Sequence, residues 1–112
     1  MVIRMKVIEG SLVVRPAGDL TEAAALELQQ QIEQELAPAP RDVVLNLRGI
    51  DTFAVGALPY LFRIQKQARE SDNRFVVAGA PEAALRLFQL TRVASCLDLA
   101  PSEEDALRAP VA

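Results

Sequence analysis

The run Val43-Val44-Leu45-Asn46-Leu47 constrains the fold more than any other stretch of this chain. A strand with apolar residues at successive positions has both faces to bury, so it reads as a central strand of a sheet that is covered. Segments with helical period flank it. Upstream, Ala25, Leu28, Ile32 and Leu36 recur at spacings of three and four behind Thr21, a side chain suited to capping, and Pro38 and Pro40 end the pattern. Downstream, Leu58, Leu61, Phe62, Gln65 and Ala68 mark a second helix whose apolar face is interrupted by one polar residue. Pro59 lacks an amide donor and belongs in a first turn, which puts the start of that helix near Ala54 or Val55.

The ends of the chain extend the pattern. Ile3, Met5 and Val7 alternate with Arg4 and Lys6, Glu9-Gly10-Ser11 supplies a turn, and Leu12 to Arg15 reads as the second arm of a hairpin. After a break at Ser71-Asp72-Asn73 comes a strand over Phe75 to Ala78. Pro81 then opens a third helix with Ala84, Leu87 and Phe88 inward, and Leu97 to Leu99 forms a short edge strand. Ser102 and Asp105, three apart ahead of Leu107, resemble a capping box and start a terminal helix. This order predicts an α/β fold over residues 1–112 as one domain: a mostly parallel mixed sheet with an N-terminal antiparallel hairpin, covered by about four helices.

Composition narrows the function. No apolar run approaches the ~18 residues of a membrane-spanning helix, so direct membrane insertion is not expected. Met1 to Val7 lack the layout of a secretory signal, so a cytoplasmic location is. The net charge is −3 and the basic residues are scattered singly along the chain, which argues against a nucleic-acid partner. The chain has one cysteine and no histidine. Cys96 is read as a small packed apolar residue, and neither an internal disulfide nor a metal site is expected. Without histidine the usual general base near neutral pH is missing, and no glycine-rich phosphate loop is present, so no catalytic residue and no cofactor are assigned. Glu103-Glu104-Asp105 reads as a solvated first helical turn, favoured there by the helix dipole.

Several segments, in order, resemble the STAS domain shared by bacterial anti-sigma factor antagonists and the cytoplasmic tails of sulfate transporters. Gly18-Asp19-Leu20 is similar to that family's turn after the second strand, and Leu45-Asn46-Leu47-Arg48-Gly49-Ile50 to its Leu-Asp-Leu-Ser-Gly-Val strand and turn. Gly79-Ala80-Pro81-Glu82 with Leu87 and Leu90-Thr91 resembles the third-helix region, and Pro101 to Leu107 the last capped helix. Members that act as phosphorylation switches carry Asp-Ser-Ser-Gly or Asp-Ser-Ala-Gly at the start of the second helix. Here that tetrad falls on Ala54-Val55-Gly56-Ala57. Gly56 stands where the phosphorylated serine would be, so no phosphosite is expected at the usual position. Thr52 is the nearest other hydroxyl and reads as a local turn or cap group ahead of a displaced phosphosite.

The resemblance implies a non-enzymatic, protein-binding regulatory module of the bacterial signalling and transcription-regulation type, docking its partner at this helix entrance. In the family switch, phosphate adds nearly two negative charges in the contact surface. Here the surface would stay uncharged. The implied partner-binding residues are Asp19, Arg48, Asp51, Thr52, Ala54, Val55, Gly56 and Ala57, with Tyr60 and Arg63 as anchors one and two turns further along. Asp19 is read either as a contact or as a stabiliser of the turn after Gly18. The implied partner is an anti-sigma factor or kinase-like protein. A first alternative is an accessory subunit clamping the transporter ATPase of an ABC-type lipid transport complex. A second is a nucleotide-binding domain using the helix N-terminus for an anion, against which stands the lack of convergent polar side chains. Homodimerisation is left open.

Overall fold

A computed structural model describes residues 1–108. Strands β1 (Val2–Ile8) and β2 (Ser11–Leu20) form the antiparallel hairpin, with Ile8 paired to Ser11. The two residues between them, Glu9 and Gly10, both take positive φ, 52° and 83°. That is the left-handed turn whose twist matches the flanking strands, and Gly10 adopts it without steric cost.

The chain continues through α1 (Glu22–Leu36), β3 (Val43–Asn46), β4 (Gly49–Phe53), α2 (Leu58–Glu70), β5 (Phe75–Ala78), α3 (Glu82–Leu90), β6 (Asp98–Ala100) and α4 (Glu103–Leu107). The strands make a six-stranded sheet in the order β1-β2-β3-β5-β6, with β4 added to β2. Every pairing except the hairpin is parallel. Among the described residues, the mixed α/β architecture expected from the sequence, with its N-terminal hairpin and four helices, is the one observed.

The strands depart from the expected pattern in two places, both in the same stretch of sheet. β2 does not end at Arg15 but runs on to Leu20, so Gly18-Asp19-Leu20 lies inside the strand, at a register shift between Gly18 and Asp19. Its partner there is β4, a stretch whose sequence predicts only a turn. The first half of β2, Leu12 to Val14, pairs with β3, and Ala17 to Leu20 pairs with β4. Pro16 falls between the two pairings, where a residue that cannot donate to a ladder costs least. Gly49 opens β4 under Pro16: a Cβ there would lie 3.1 Å from the Pro16 carbonyl oxygen, so no larger residue fits without movement. Charged and glycine residues hid this strand, because in Gly49–Phe53 only Ile50 is buried.

The main core lies between the sheet and α1, α2 and α3. Ala25, Leu28, Ile32 and Leu36 of α1 face it as their spacing requires, and the Thr21 hydroxyl accepts from the Ala24 amide at 3.1 Å to cap that helix. The polar interruption in α2 has a partner: the Gln65 side-chain amide donates to the Cys96 carbonyl at 2.9 Å. α3 buries Ala84 and Phe88, while Leu87 is only half-buried. A smaller core of Val13, Val44, Val76 and Ala78 lies on the opposite sheet face under Ala106 of α4. Cys96 is exposed, not packed as expected, because its 3-10 turn, Ala94–Cys96, buries none of its residues.

Candidate functional site

The entrance to α2 is built by strand geometry. β4 ends at Phe53, and the Ala54 amide donates to the Leu20 carbonyl at 3.0 Å, tying the chain to the end of β2. A 3-10 turn over Val55–Ala57 then leads into α2, with Pro59 in the first turn, where its missing amide costs little. The helical backbone thus begins at Val55, as the position of Pro59 predicts.

Of the four small residues that occupy the tetrad, Ala54 and Val55 are exposed, Val55 to 59%, and Gly56 is half-buried. Ala57 is fully buried and belongs to the main core, so it anchors the turn and does not present a surface. Asp19 and Thr52 stand opposite each other on β2 and β4, and the Thr52 hydroxyl donates to the Asp19 carboxylate at 2.8 Å. Thr52 is therefore neither a local turn group nor a helix cap. It bridges two strands, and the Asp19 side chain does the same from the other side. Asp51 is exposed on β4.

Tyr60 is half-buried against the main core, and the Arg63 guanidinium carbon lies 4.9 Å from its ring centroid, a cation–π contact that fixes both side chains one turn into α2. Arg48 goes elsewhere: it lines a cleft on the opposite sheet face together with Arg4 and Arg15.

One neighbour of the entrance was not visible in the sequence. Glu22, in the first turn of α1, lies against Gly56, and a Cβ on Gly56 would come within 3.0 Å of its Oε2. Leu26, one turn later on α1, is exposed. The only local signal was an acid at a helix start, which normally indicates nothing beyond the dipole.

The acidic trio at the start of α4 is also not uniformly solvated. Glu103 accepts from the Arg15 guanidinium at 2.8 and 2.7 Å and from the Asn46 amide at 3.1 Å. Hydrogen bonding from Arg15 holds the Glu103 carboxyl below the usual carboxylate range, with partial burial opposing the shift and Asn46 adding to it. Ser102 caps α4 as the spacing predicts: its hydroxyl accepts from the Asp105 amide at 3.1 Å and donates to the Asp105 carboxylate at 2.9 Å.

Chemically, the α2 entrance offers small apolar side chains and backbone between carboxylates and an aromatic–guanidinium pair. Such a face can admit a partner's backbone closely and exclude water around it.

The family model described as "Mlab, STAS domain" matches residues 7–100. Among solved structures, an anti-sigma factor antagonist from Mycobacterium paratuberculosis is similar over 96% of this chain and 91% of its own, at 23% identity and TM-score 0.85. The unphosphorylated anti-sigma factor antagonist SpoIIAA, of Bacillus, is similar over 99% of this chain and all of its own, at 14% identity and TM-score 0.77. The murine anion transporter Slc26a9 is similar over 90% of this chain but only 18% of its own, at 13% identity and TM-score 0.77. No curated protein matches the chain by sequence. The fold these structures share is the one described above, and the match to the family model spans most of the chain: this protein belongs to the STAS domain family.

Proposed function

We propose that this chain is a non-enzymatic regulatory module that binds another protein through the entrance of α2, without a phosphorylation switch at the usual position. The observation that carries the reading is the open, uncharged stretch Ala54–Gly56 at the start of the 3-10 turn; the resemblance to switching members implies that their phosphorylatable serine falls on it. Asp19, Asp51 and Thr52 form its polar rim on β2 and β4, Ala57 holds the turn from below, and Tyr60 with Arg63 stands beside it as an aromatic anchor. The proposed partner is an anti-sigma factor of kinase-like fold. The Thr52 hydroxyl already donates to Asp19. A phosphate on it would face that carboxylate, which argues against Thr52 as a substitute phosphosite. Arg48 contributes at most to the far rim, since it lies in the cleft of the other sheet face.

A second reading has its own support. The likeness to part of a membrane anion transporter favours a role beside a transport complex, with the same face clamping a transporter ATPase subunit such as that of an ABC-type lipid transport system. Affinity capture from cell extract with the wild type and with Gly56→Asp separates the two readings. Recovery of a kinase-fold anti-sigma factor, lost in the variant, supports the first; recovery of a transporter ATPase supports the second; capture equal for both proteins refutes the α2 entrance as the contact face. In a parallel assay with the captured kinase and ATP, no stoichiometric phosphate is expected on any residue, and its appearance refutes the constitutive reading.

A further inference from the structure

We propose that the sheet face opposite α1, α2 and α3 carries a second docking site, a basic groove that takes an acidic segment of a partner protein. Basic residues that are scattered along the sequence meet on this face. Half-buried Ile3 and Met5 of β1 pack against the main core, so the alternation of the strand turns Arg4 and Lys6 to the other side. The hairpin register sets Arg4 directly opposite Arg15. Arg4, Arg15, Asn46 and Arg48 line an open cleft of about 530 Å³ beside Pro16 and Ala17, and an adjoining depression of about 390 Å³ continues past Arg4 to Lys6. Arg4, Lys6, Arg15 and Arg48 are four of the 12 Lys and Arg residues of a chain whose net charge is −3. A local positive field on an acidic protein is the arrangement that selects and steers an anionic partner.

One carboxylate is already bound at the edge of the groove, from the neighbouring cleft, and it shows the chemistry of the groove residues. Glu103 reaches in from α4 and is gripped in bidentate fashion by Arg15, with Asn46 as a further donor. The Asn46 amide is aimed for this by its own oxygen, which accepts from the Arg48 backbone amide at 2.9 Å. Among the described residues Arg4, Lys6 and Arg48 make no such ion pair. Glu103 already balances Arg15, so among the described residues the charges left for an incoming carboxylate are those of Arg4, directly opposite Arg15 on β1, and of Arg48 across the cleft.

The cations are spread along an open groove instead of converging on one point, which suits carboxylates spaced along an extended segment better than a single small anion. α4, only five residues long, covers the neighbouring apolar patch and leaves this groove uncovered. The site is on the opposite sheet face from the α2 entrance, so either can fail without the other.

The test uses the full chain and a fluorescein-labelled peptide of alternating Glu and Gly, followed by anisotropy at about 50 mM salt. Saturable binding is expected, weakened about tenfold or more by Arg4→Glu with Arg48→Glu and by raised salt. It should be unchanged by Lys66→Glu with Arg69→Glu, an equal charge reversal on exposed positions of α2. Arg4→Gln with Arg48→Gln repeats the test without adding charge, and far-UV circular dichroism confirms that each variant folds. No binding to the wild type, equal loss in both reversed pairs, or tighter binding of an oligonucleotide of the same length through Arg4 and Arg48 would each overturn the proposal.

Discussion

Gly56 and Glu22 are in contact across the entrance of α2: a Cβ on Gly56 would lie 3.0 Å from the Glu22 Oε2 and 3.4 Å from its Cβ and Cδ. The first turn of α1 therefore forms one wall of the proposed docking face, and any side chain placed at position 56 meets a carboxylate before it meets a partner.

Replacing Gly56 by Asp should consequently act on the fold as well as on binding. Two carboxylates about 4 Å apart at a water-exposed surface repel by roughly 1 kcal/mol. Urea denaturation is expected to show a loss of about that size at low salt, smaller at high salt and largely recovered by adding Glu22→Gln. Gly56→Ala, which needs only a swing of the Glu22 carboxylate, should stay within about 0.5 kcal/mol of wild type. A Gly56→Asp effect on partner capture that survives in the Glu22→Gln background belongs to the interface.

The hydrogen bond from Thr52 to Asp19 joins β4 to the far end of β2, where the strand has just passed its register shift. Thr52→Val keeps the shape and removes the donor. Because the pair is exposed, a cost of about 0.5 kcal/mol is expected, near the low end for an intramolecular hydrogen bond. Asp19→Asn, which keeps an acceptor, should cost less than Asp19→Ala. Faster amide exchange at the β2–β4 pairing in Thr52→Val, with β2–β3 unchanged, would be its signature; equal exchange in both would show that the bond does not hold β4.

Phe88 of α3 meets Phe53 at the end of β4 edge-to-face, with ring centroids 5.3 Å apart and planes at 90°. Phe88 is wholly buried and Phe53 only half-buried. Phe88→Ala should cost about 3–5 kcal/mol, a large part of the ~5–15 kcal/mol that holds a domain of this kind together. Phe53→Ala should cost less, and the double variant less than the sum of the two, since the edge-to-face contact is lost only once. Strict additivity in chemical denaturation would remove the pair as a coupling between α3 and β4.

Glu103 gives the fold a pH dependence. Its folded carboxyl titrates below the usual range because of Arg15. Its contribution is therefore complete above the ordinary carboxylate value and is lost as pH falls through the lowered folded one. Glu103→Gln should lower stability by about 1 kcal/mol near pH 7, the scale of a partly exposed ion pair, and by much less near about pH 2. A gap between wild type and Glu103→Gln that does not shrink in acid would show that Arg15 is not the cause.

Residue spacing alone located α1, α2, α3 and α4, because each buries a stripe or carries a cap that recurs at helical intervals: Leu28 and Ile32, Leu61 and Ala68, Ala84 and Phe88, Ser102 and Asp105. Val43 to Leu45 likewise announced a strand buried on both faces, and Pro59 marked the first turn of α2. These features depend on near neighbours in the chain, so local order carries them. β4 was not legible, since a strand with one wholly buried residue has no apolar pattern to show and is held by its partner on β2. The placement of Ala57 in the core and the contact of Glu22 with Gly56 were hidden for a similar reason, as both depend on how α1 lies against the turn before α2. Arg4, Arg15 and Arg48 look idle and dispersed in sequence, and Glu103 looks solvated. Only the hairpin register and the return of α4 across the second face bring them within reach of one another, because electrostatics acts through space and takes no account of distance along the chain.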